Sequence, residues 1–428
     1  MIAQSDILVI GAGPAGLTAA AHAAELGAHV VVLEKMDRPA LKLRITGKGR
    51  CNLTNIAEME DFLSHFSPNP RFLKPAFYSL SNTELIDLFQ RLGVPTVTER
   101  GGRVFPSSQS AKDVAEALVG WCKRSGVNIW TNASVSKLIG SDRQIEGVQL
   151  KDGQKIEANS VIVATGGASY PGTGSTGDGY KLAESIGHTI TEARPALVPL
   201  ITDGDIARRM QGLSLRNVAA SLWVDDKKQA EEFGEMLFTH FGCSGPIILT
   251  LSRKAIVALN HGHSVEIHLD LKPALDEAKL NARLLRDLDT HGKRQFKSIL
   301  KGLLPHKMTE VCSEQVNIPL DKPANQIDAK ERKKLLGFLK DFHFIVKGHR
   351  GLKEAIVTAG GVSIREIDSK TMCSKICRGL YFAGEVMDID ADTGGFNLQA
   401  AFSTGWLAGE SAAQTLQNRK ETCQVLRT

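Results

Sequence analysis

Gly11-Ala12-Gly13-Pro14-Ala15-Gly16 constrains the folding of this chain more than any other stretch. An apolar run, Asp6-Ile7-Leu8-Val9-Ile10, leads into it, and an Ala-rich segment over 17–26 leads out. A second apolar run over 29–33 ends in Glu34, 18 residues after Gly16. Strand, glycine turn, helix, strand and acid in that order predict a dinucleotide-binding unit. In such a unit Gly11 permits the tight turn and Gly13 lets the backbone approach a pyrophosphate. Gly16 lets helix and strand pack closely. Pro14 and Ala15 open the helix, whose N-terminal amides attract phosphate charge. Glu34, with Lys35 beside it, is placed to accept hydrogen bonds from an adenosine ribose. A chance glycine turn explains the glycines but not the whole order. A ribose-binding Glu with no partner for a 2′-phosphate suits FAD or NAD better than NADP.

Length and composition narrow the class. A chain of 428 residues buries a large core and predicts two or three structural units. Apolar residues make up 42% and charged residues 23%, the balance of a soluble globular protein. No apolar stretch approaches the roughly 20 residues that span a bilayer, so no membrane association is expected. The chain enters a strand directly, so no signal peptide is expected. Seven scattered cysteines fit a reduced, cytoplasmic protein rather than a disulfide framework. Cys373 and Cys377 have no nearby His pair, so no metal ligands are expected. The net charge of +5 admits anionic substrates without indicating nucleic acid.

Along the chain, helical patterns are expected around 82–92 and 111–125, and a buried strand over 160–164. The character changes near Arg194-Pro195. Residues 196–275 read as β-rich, and 276–343 as helical and basic. The stretch 276–350 holds 16 Lys and Arg against 10 Asp and Glu. Buried strands return over 356–361 and 379–384, and a last helix is expected from about Leu398 to Thr415. The expected class is α/β, with a Rossmann-like domain in two chain segments interrupted by an insert. The expected boundaries are 1–194 for the first segment, 195–275 for the β-rich insert, 276–345 for the helical insert and 346–428 for the second segment.

Four glycine-bearing segments are expected to converge on one long ligand, which points to FAD. They are residues 11–16; Gly47, Gly49, Arg50, Cys51 and Asn52; Ala164, Thr165, Gly166 and Gly167; and the stretch 384–398. In a doubly wound sheet, ligands sit beyond the carboxyl ends of the strands, where such turns expose backbone amides. Within the last segment Gly384, Glu385 and Asp388 precede a helix opened by Gly395, Phe396, Asn397 and Leu398. The N-terminus of that helix would stabilise the negative charge of a reduced flavin. Glu385 or Asp388 would bond ribityl or phosphate-side hydroxyls. An ordinary glycine-capped turn is the plainer account. A second GxGxxG at 172–177 does not directly follow a strand, so it reads as a loop beside the flavin. Any nicotinamide then docks without its own Rossmann unit.

With these segments in place the chain resembles a bacterial family of FAD-binding flavoproteins, named aminoacetone-oxidase-like or 3-dehydro-bile-acid Δ4,6-reductase. The shared marks are residues 11–16 and Ile45-Thr46-Gly47-Lys48-Gly49-Arg50-Cys51-Asn52-Leu53-Thr54-Asn55. Gly102-Arg103-Val104-Phe105-Pro106, Phe238-Thr239-His240-Phe241-Gly242-Cys243-Ser244-Gly245-Pro246 and Thr358-Ala359-Gly360-Gly361-Val362 continue the series. Gly394-Gly395-Phe396-Asn397-Leu398-Gln399 completes it. The resemblance implies a two-piece FAD domain with an insert made of a β-barrel-like part and a small helical part. Ser175-Thr176-Gly177-Asp178-Gly179 gives a distant similarity to the fumarate-reductase group. Two departures stand out. Many relatives carry a third glycine where this chain has Lys48, and often Tyr where it has Phe396.

The expected activity is that of an FAD-dependent oxidoreductase with noncovalently bound cofactor. Hydride would pass between flavin N5 and a small organic substrate, by amine oxidation or by reduction of an activated C=C. NAD(P)H is the transient donor expected of a reductase, and O2 the acceptor expected of an oxidase. Lys48 and Arg50 are candidate binders of an anion or carbonyl, although Arg50 serves the pyrophosphate equally well. His240 is the candidate acid or base, against a purely structural role. Cys51 has no partner thiol in its loop, so a packed, inert cysteine is favoured over a redox one. His22 reads as exposed or packed, and Arg103 as a substrate or side-chain binder. A nucleic-acid-directed flavoprotein of the tRNA-modifying kind is the rival, supported only by the basic stretch. A non-enzymatic FAD-binding regulator is the third reading.

Overall fold

A computed structural model describes residues 3–425. The chain divides into two compact units, 1–195 with 355–428, and 196–354.

In the first unit the apolar runs Ala3–Ile10 and Val30–Leu33 lie side by side in a seven-stranded sheet. Residues Ile7 to Ile10 and Val30 to Leu33 are all buried, as strands covered on both faces must be. The parallel strands run in the order Asn128–Trp130, Val30–Leu33, Ala3–Ile10, Lys155–Val163 and Leu380–Phe382. The last of these returns from the distal chain segment. An antiparallel meander, Val135–Ser141 and Gln144–Leu150, extends the sheet beyond Lys155–Val163.

The Ala-rich first helix, Pro14–Glu25, packs against the C-terminal helix, Phe396–Val425. A Cβ on Gly405 or Gly409 would lie 2.3 Å from the carbonyl oxygen of Ala15 or Ala19 respectively. Small residues on both helices therefore set the close crossing. The C-terminal helix begins two residues before the expected Leu398, at Phe396, because the Gly394-Gly395 turn ends there. It also runs on past Thr415 to Val425.

The second unit is a closed antiparallel barrel with a helical part. Around the barrel the strands are Leu200–Thr202, Gly242–Ser244, Lys227–Phe238, Ser214–Val224, Val265–Asp270 and Phe342–His349. Alternation fixes which face each side chain takes. Val265, Ile267, Leu269, Phe342, Phe344 and Val346 are buried, whereas Glu266, His268, His343 and Lys347 are not.

Two sequence expectations are corrected here. Residues 246–260, inside the stretch read as β-rich, form the helix Pro246–Asn260. Its buried Ile247, Ile248, Leu251 and Ala255 join the barrel core. A short apolar run does not by itself separate a buried helix from a strand. Conversely, the last residues of the stretch read as helical open the strand Phe342–His349, which closes the barrel. The helices between are Glu277–Thr290, Phe296–Leu303, Met308–Val316 and Ala329–Lys340. Asp328 and Glu331 form a capping box at the start of the last one. Among the described residues no helix is long and apolar enough to cross a membrane.

Candidate functional site

Four neighbouring strands of the first unit end at Ile10, Leu33, Val163 and Phe382, and their loops leave from one edge of the sheet. Hydrogen bonds stitch these exits together: Ala164 N–H to Ile10 O (2.9 Å), Gly11 N–H to Leu33 O (2.8 Å) and Ala383 N–H to Val163 O (3.1 Å). The carboxyl edge of a parallel sheet is where ligands of this fold class lie. The three fingerprint glycines are under different constraints. A Cβ on Gly16 would fall 1.9 Å from Gly11 O, and one on Gly11 (φ +102°) would fall 2.6 Å from Ala164 O. A Cβ on Gly13 would meet nothing within 4 Å. The helix that starts at Pro14 has no side-chain cap, so its first amides remain available beside that open space.

Glu34 is held in place by backbone donors. Its Oε2 accepts from Ala12 N–H at 2.8 Å and its Oε1 from Met36 N–H at 2.9 Å. Lys35 Nζ donates to Thr176 Oγ1 (2.5 Å) and Asp178 Oδ2 (2.6 Å). The lysine thereby ties the second glycine run to the end of the second strand. Burial pushes the Asp178 carboxyl up, but the Lys35 hydrogen bond and charge outweigh it and hold the group below the usual range. The 172–177 run follows a turn and precedes a short helix, Asp178–Glu184, as a loop reading requires.

Glu385 joins three chain segments. Its Oε1 accepts from Thr358 N–H at 2.7 Å and from Ser169 Oγ at 3.0 Å, and its Oε2 from Lys42 Nζ at 2.9 Å. Thr358 Oγ1 accepts in turn from the Ala168 and Ser169 amides, at 2.8 and 3.0 Å. Lys42 and Ser169 carry no local signal of this role, whereas Thr358 opens one of the family marks, Thr358-Ala359-Gly360-Gly361-Val362. Gly167 packs against this group, while Thr165 lies beside Gly11. Tyr180 is buried, and its hydroxyl has no hydrogen-bond partner among the described residues. Burial first, and then the charges of Glu385 and the half-buried Asp388, push its phenol up.

The 47–55 segment is organised by different contacts. Arg50 donates from Nε to Gln109 Oε1 (2.5 Å), pairs with the Glu99 carboxylate, and stacks 4.2 Å from the Phe105 ring centroid. Its charge is already compensated within the protein. Lys48 is exposed, with a left-handed backbone (φ +58°) and no ionic partner among the described residues. Cys51 is fully buried, and burial pushes its thiol up. Asn52 Oδ1 is buried without a partner among the described residues. Asn55 Nδ2 donates to Gly101 O (2.9 Å) and Gly394 O (3.2 Å), tying this segment to the turn before the C-terminal helix. A Cβ on Gly395 would lie 2.4 Å from Thr54 O.

At the start of that helix Phe396 is buried and stacks 4.0 Å from His65, whose Nδ1 is 3.0 Å from Asp392 Oδ2. The Asn397 carboxamide bonds the Ala391 amide and the Ala391 and Asp392 carbonyls, so it braces the turn. Leu398 is half-buried. Gln399, one of the residues lining a cavity of about 210 Å³, bonds Leu80 O and Ser403 Oγ through Nε2, and its Oε1 has no partner among the described residues. His240 belongs to the second unit, where it is exposed and edge-on to Phe241. His22 is buried, its ring nitrogens make no hydrogen bond among the described residues, and it stacks on Trp406 at 3.5 Å. Arg103 is half-buried, 5.9 Å from the Phe105 ring.

A family model described as HI0933-like protein Rossmann domain matches residues 5–411. The chain belongs to the HI0933-like family. This is the family expected from the motifs. The 3-dehydro-bile acid delta(4,6)-reductase from Clostridium scindens is 32% identical over 96% of this chain and 100% of its own length. The ribosomal RNA dihydrouridine synthase of Haemophilus influenzae is 32% identical over 97% and 100%. Among solved structures, 3-ketosteroid delta1-dehydrogenase from Sterolibacterium denitrificans shares the fold. It has a TM-score of 0.54 and 13% identity over 96% of this chain and 100% of that one. The full-length relatives mark this HI0933-like chain as an oxidoreductase with a Rossmann-type nucleotide-binding fold.

Proposed function

We propose that this HI0933-like protein is an FAD-dependent oxidoreductase that reduces a carbon–carbon double bond conjugated to a carbonyl. FAD is held without a covalent bond, and NAD(P)H is the electron donor. The observation that carries the cofactor is the open, uncapped helix start at Gly13, set among four loops at one edge of the sheet. The orphaned Tyr180 Oη and Asn52 Oδ1 add buried polar atoms that a polar ligand would satisfy.

In this reading Gly11, Gly13, Pro14, Ala15 and Gly16 hold the pyrophosphate, and Glu34 the ribose. Ala164, Thr165, Gly166, Gly167, Gly384 and Glu385 line the sheet edge along the ligand, with Lys42 and Ser169 fixing the Glu385 carboxylate. Gly395 and Phe396 present the N-terminus of the last helix to negative charge on the reduced ring. When bound, FAD supplies a hydride from N5. Because Arg50 is paired with Glu99, Lys48 is the cation of its loop left to hold the substrate carbonyl, favouring enolate character as hydride arrives. The enolate carbon then takes its proton from solvent water.

The relatives' names support the reaction class, since a delta(4,6)-reductase acting on a 3-dehydro acid and a dihydrouridine synthase both saturate C=C bonds conjugated to carbonyls. A nucleobase in RNA is therefore the second reading. It draws support from the charge distribution. Unit 196–354 holds 25 Lys and Arg against 20 Asp and Glu, a surplus of five that equals the net charge of the whole chain. Lys293, Arg294, Lys301, Lys333 and Lys334 stand exposed on its helical part. Such charge favours phosphate backbones in a salt-dependent way.

The test follows the flavin absorption band anaerobically during addition of NADH and then NADPH, and afterwards of an acceptor. Bleaching by either donor, with recovery on adding a 3-keto-4,6-diene steroid, supports the small-molecule form. Recovery only with uridine-containing ribosomal RNA, lost at high salt, supports the RNA form. Absence of a protein-bound flavin band after incubation with FAD and removal of the excess would overturn the proposal.

A further inference from the structure

We propose that the outer wall of the barrel carries a binding site for a divalent cation of borderline softness, with Zn2+ as its probe, built from His268, His343 and Asp341. Nothing in it depends on the flavin reading. The strands Val265–Asp270 and Phe342–His349 pair antiparallel, with His268 directly opposite His343. Since Ile267, Leu269, Phe342 and Phe344 face the core, the period of two turns both imidazoles outward on one face. Asp341 follows the helix Ala329–Lys340 and immediately precedes the second strand, so its carboxylate reaches the same spot.

One candidate ligand atom from each of the three residues lies within 4.8 Å of the other two. Asp341 Oδ1 is 2.6 Å from His268 Nδ1, and Asp341 Oδ2 is 4.0 Å from His343 Nδ1. Zinc bonds of about 2.0–2.2 Å place tetrahedral ligand atoms roughly 3.3 Å apart. The observed separations bracket that spacing, so small side-chain rotations form the site. The cation takes the place of the contact between His268 Nδ1 and Asp341 Oδ1, a proton on Nδ1 passing to solvent, and water fills the remaining position.

The surroundings resemble those of a metal-bound imidazole. The second nitrogen of His268, Nε2, lies 3.2 Å from Glu266 Oε2, the carboxylate partner that orients a ligating histidine and raises its basicity. The Trp223 ring packs 4.8 Å from the same imidazole, and its Nε1 donates to Ser221 Oγ at 3.0 Å. His343 stacks 5.0 Å from His268 on the cross-strand side. Two imidazoles and one carboxylate select Zn2+, Cu2+ or Ni2+ over Mg2+ or Ca2+, which prefer oxygen alone.

The experiment is calorimetric titration of the chelator-treated full chain with Zn2+, with Mg2+ in parallel. Saturation at one equivalent is expected, with at least about tenfold weaker binding in His268→Ala and in His343→Ala, and about tenfold in Glu266→Gln. Cu2+ should quench a share of the tryptophan emission that disappears in Trp223→Phe. His343→Gln, at an exposed position, serves if an alanine variant does not fold. No saturable Zn2+ binding, or equal affinity in wild type and the His268→Ala/His343→Ala double variant, would overturn the proposal and leave a surface hydrogen-bond cluster.

Discussion

Gly13→Ala and Gly16→Ala should separate cofactor binding from folding, although the two positions are three residues apart. At Gly16 the new Cβ falls 1.9 Å from Gly11 O and 3.2 Å from Val9 Cγ1, and the obstructing oxygen is backbone. Relief requires moving the first helix off the sheet by more than 1 Å. The overpacking cost is about 3 kcal/mol or more, of which Ala's better helix propensity returns about 1. A net loss of about 2–4 kcal/mol lowers the melting temperature of the cofactor-free protein by roughly 4–8 °C.

Gly13 is different. Its φ of −82° suits any residue and its Cβ would meet nothing within 4 Å. Losing glycine at the helix N-cap costs no more than about 1 kcal/mol, or roughly 2 °C. The methyl group does, however, occupy the space proposed for the pyrophosphate. FAD affinity should therefore fall by about tenfold or more, since each 1.4 kcal/mol of lost contact is tenfold. Thermal melts of the cofactor-free proteins and FAD titration by flavin fluorescence quenching check both arms. Unchanged FAD affinity in Gly13→Ala would refute the pyrophosphate assignment. Unchanged stability in Gly16→Ala would refute the packing argument.

Acid stability should depend on His22. Burial lowers its pKa from 6.5 to about 4, so the unfolded chain takes up a proton that the native state refuses. The group's contribution is full above about pH 6.5 and is lost as pH falls toward 4, with a ceiling of about 3 kcal/mol. Urea unfolding at about pH 7 and about pH 4.5 should show a smaller acid loss in His22→Phe than in wild type, and an equal loss would exclude His22 as the cause. For the Lys42–Glu385 pair, both side chains 22% exposed, a double-mutant cycle of Lys42→Met and Glu385→Gln should give a coupling of about 1 kcal/mol. Zero coupling in thermal melts would mean that the bond does not hold these segments together. Cys51 should resist a thiol reagent until the protein is unfolded, because burial pushes its thiol up and leaves no exposed surface. Rapid labelling of Cys51 in the native protein, located by peptide mass, would contradict its placement.

What the amino-acid order determined by itself is local. The glycine turn, the all-apolar strands, the helices at Asn82–Arg91 and Ala111–Arg124 and the acid at Glu34 each follow from periodicity or turn chemistry within a few residues. The family marks were legible for the same reason, as contiguous strings in a fixed order. Tertiary structure decided what depends on partners far along the chain. Lys42 and Glu385 meet across 343 positions, and the His268–Asp341 contact spans 73. Arg50, equally able by sequence to face a ligand, is compensated by Glu99, 49 positions away. The stretch 246–260 became a helix because the barrel offers its apolar face a core, which a short apolar run cannot announce. Backbone preference acts between neighbours, whereas charge pairing and burial act through space, and only the folded topology says which residues share that space.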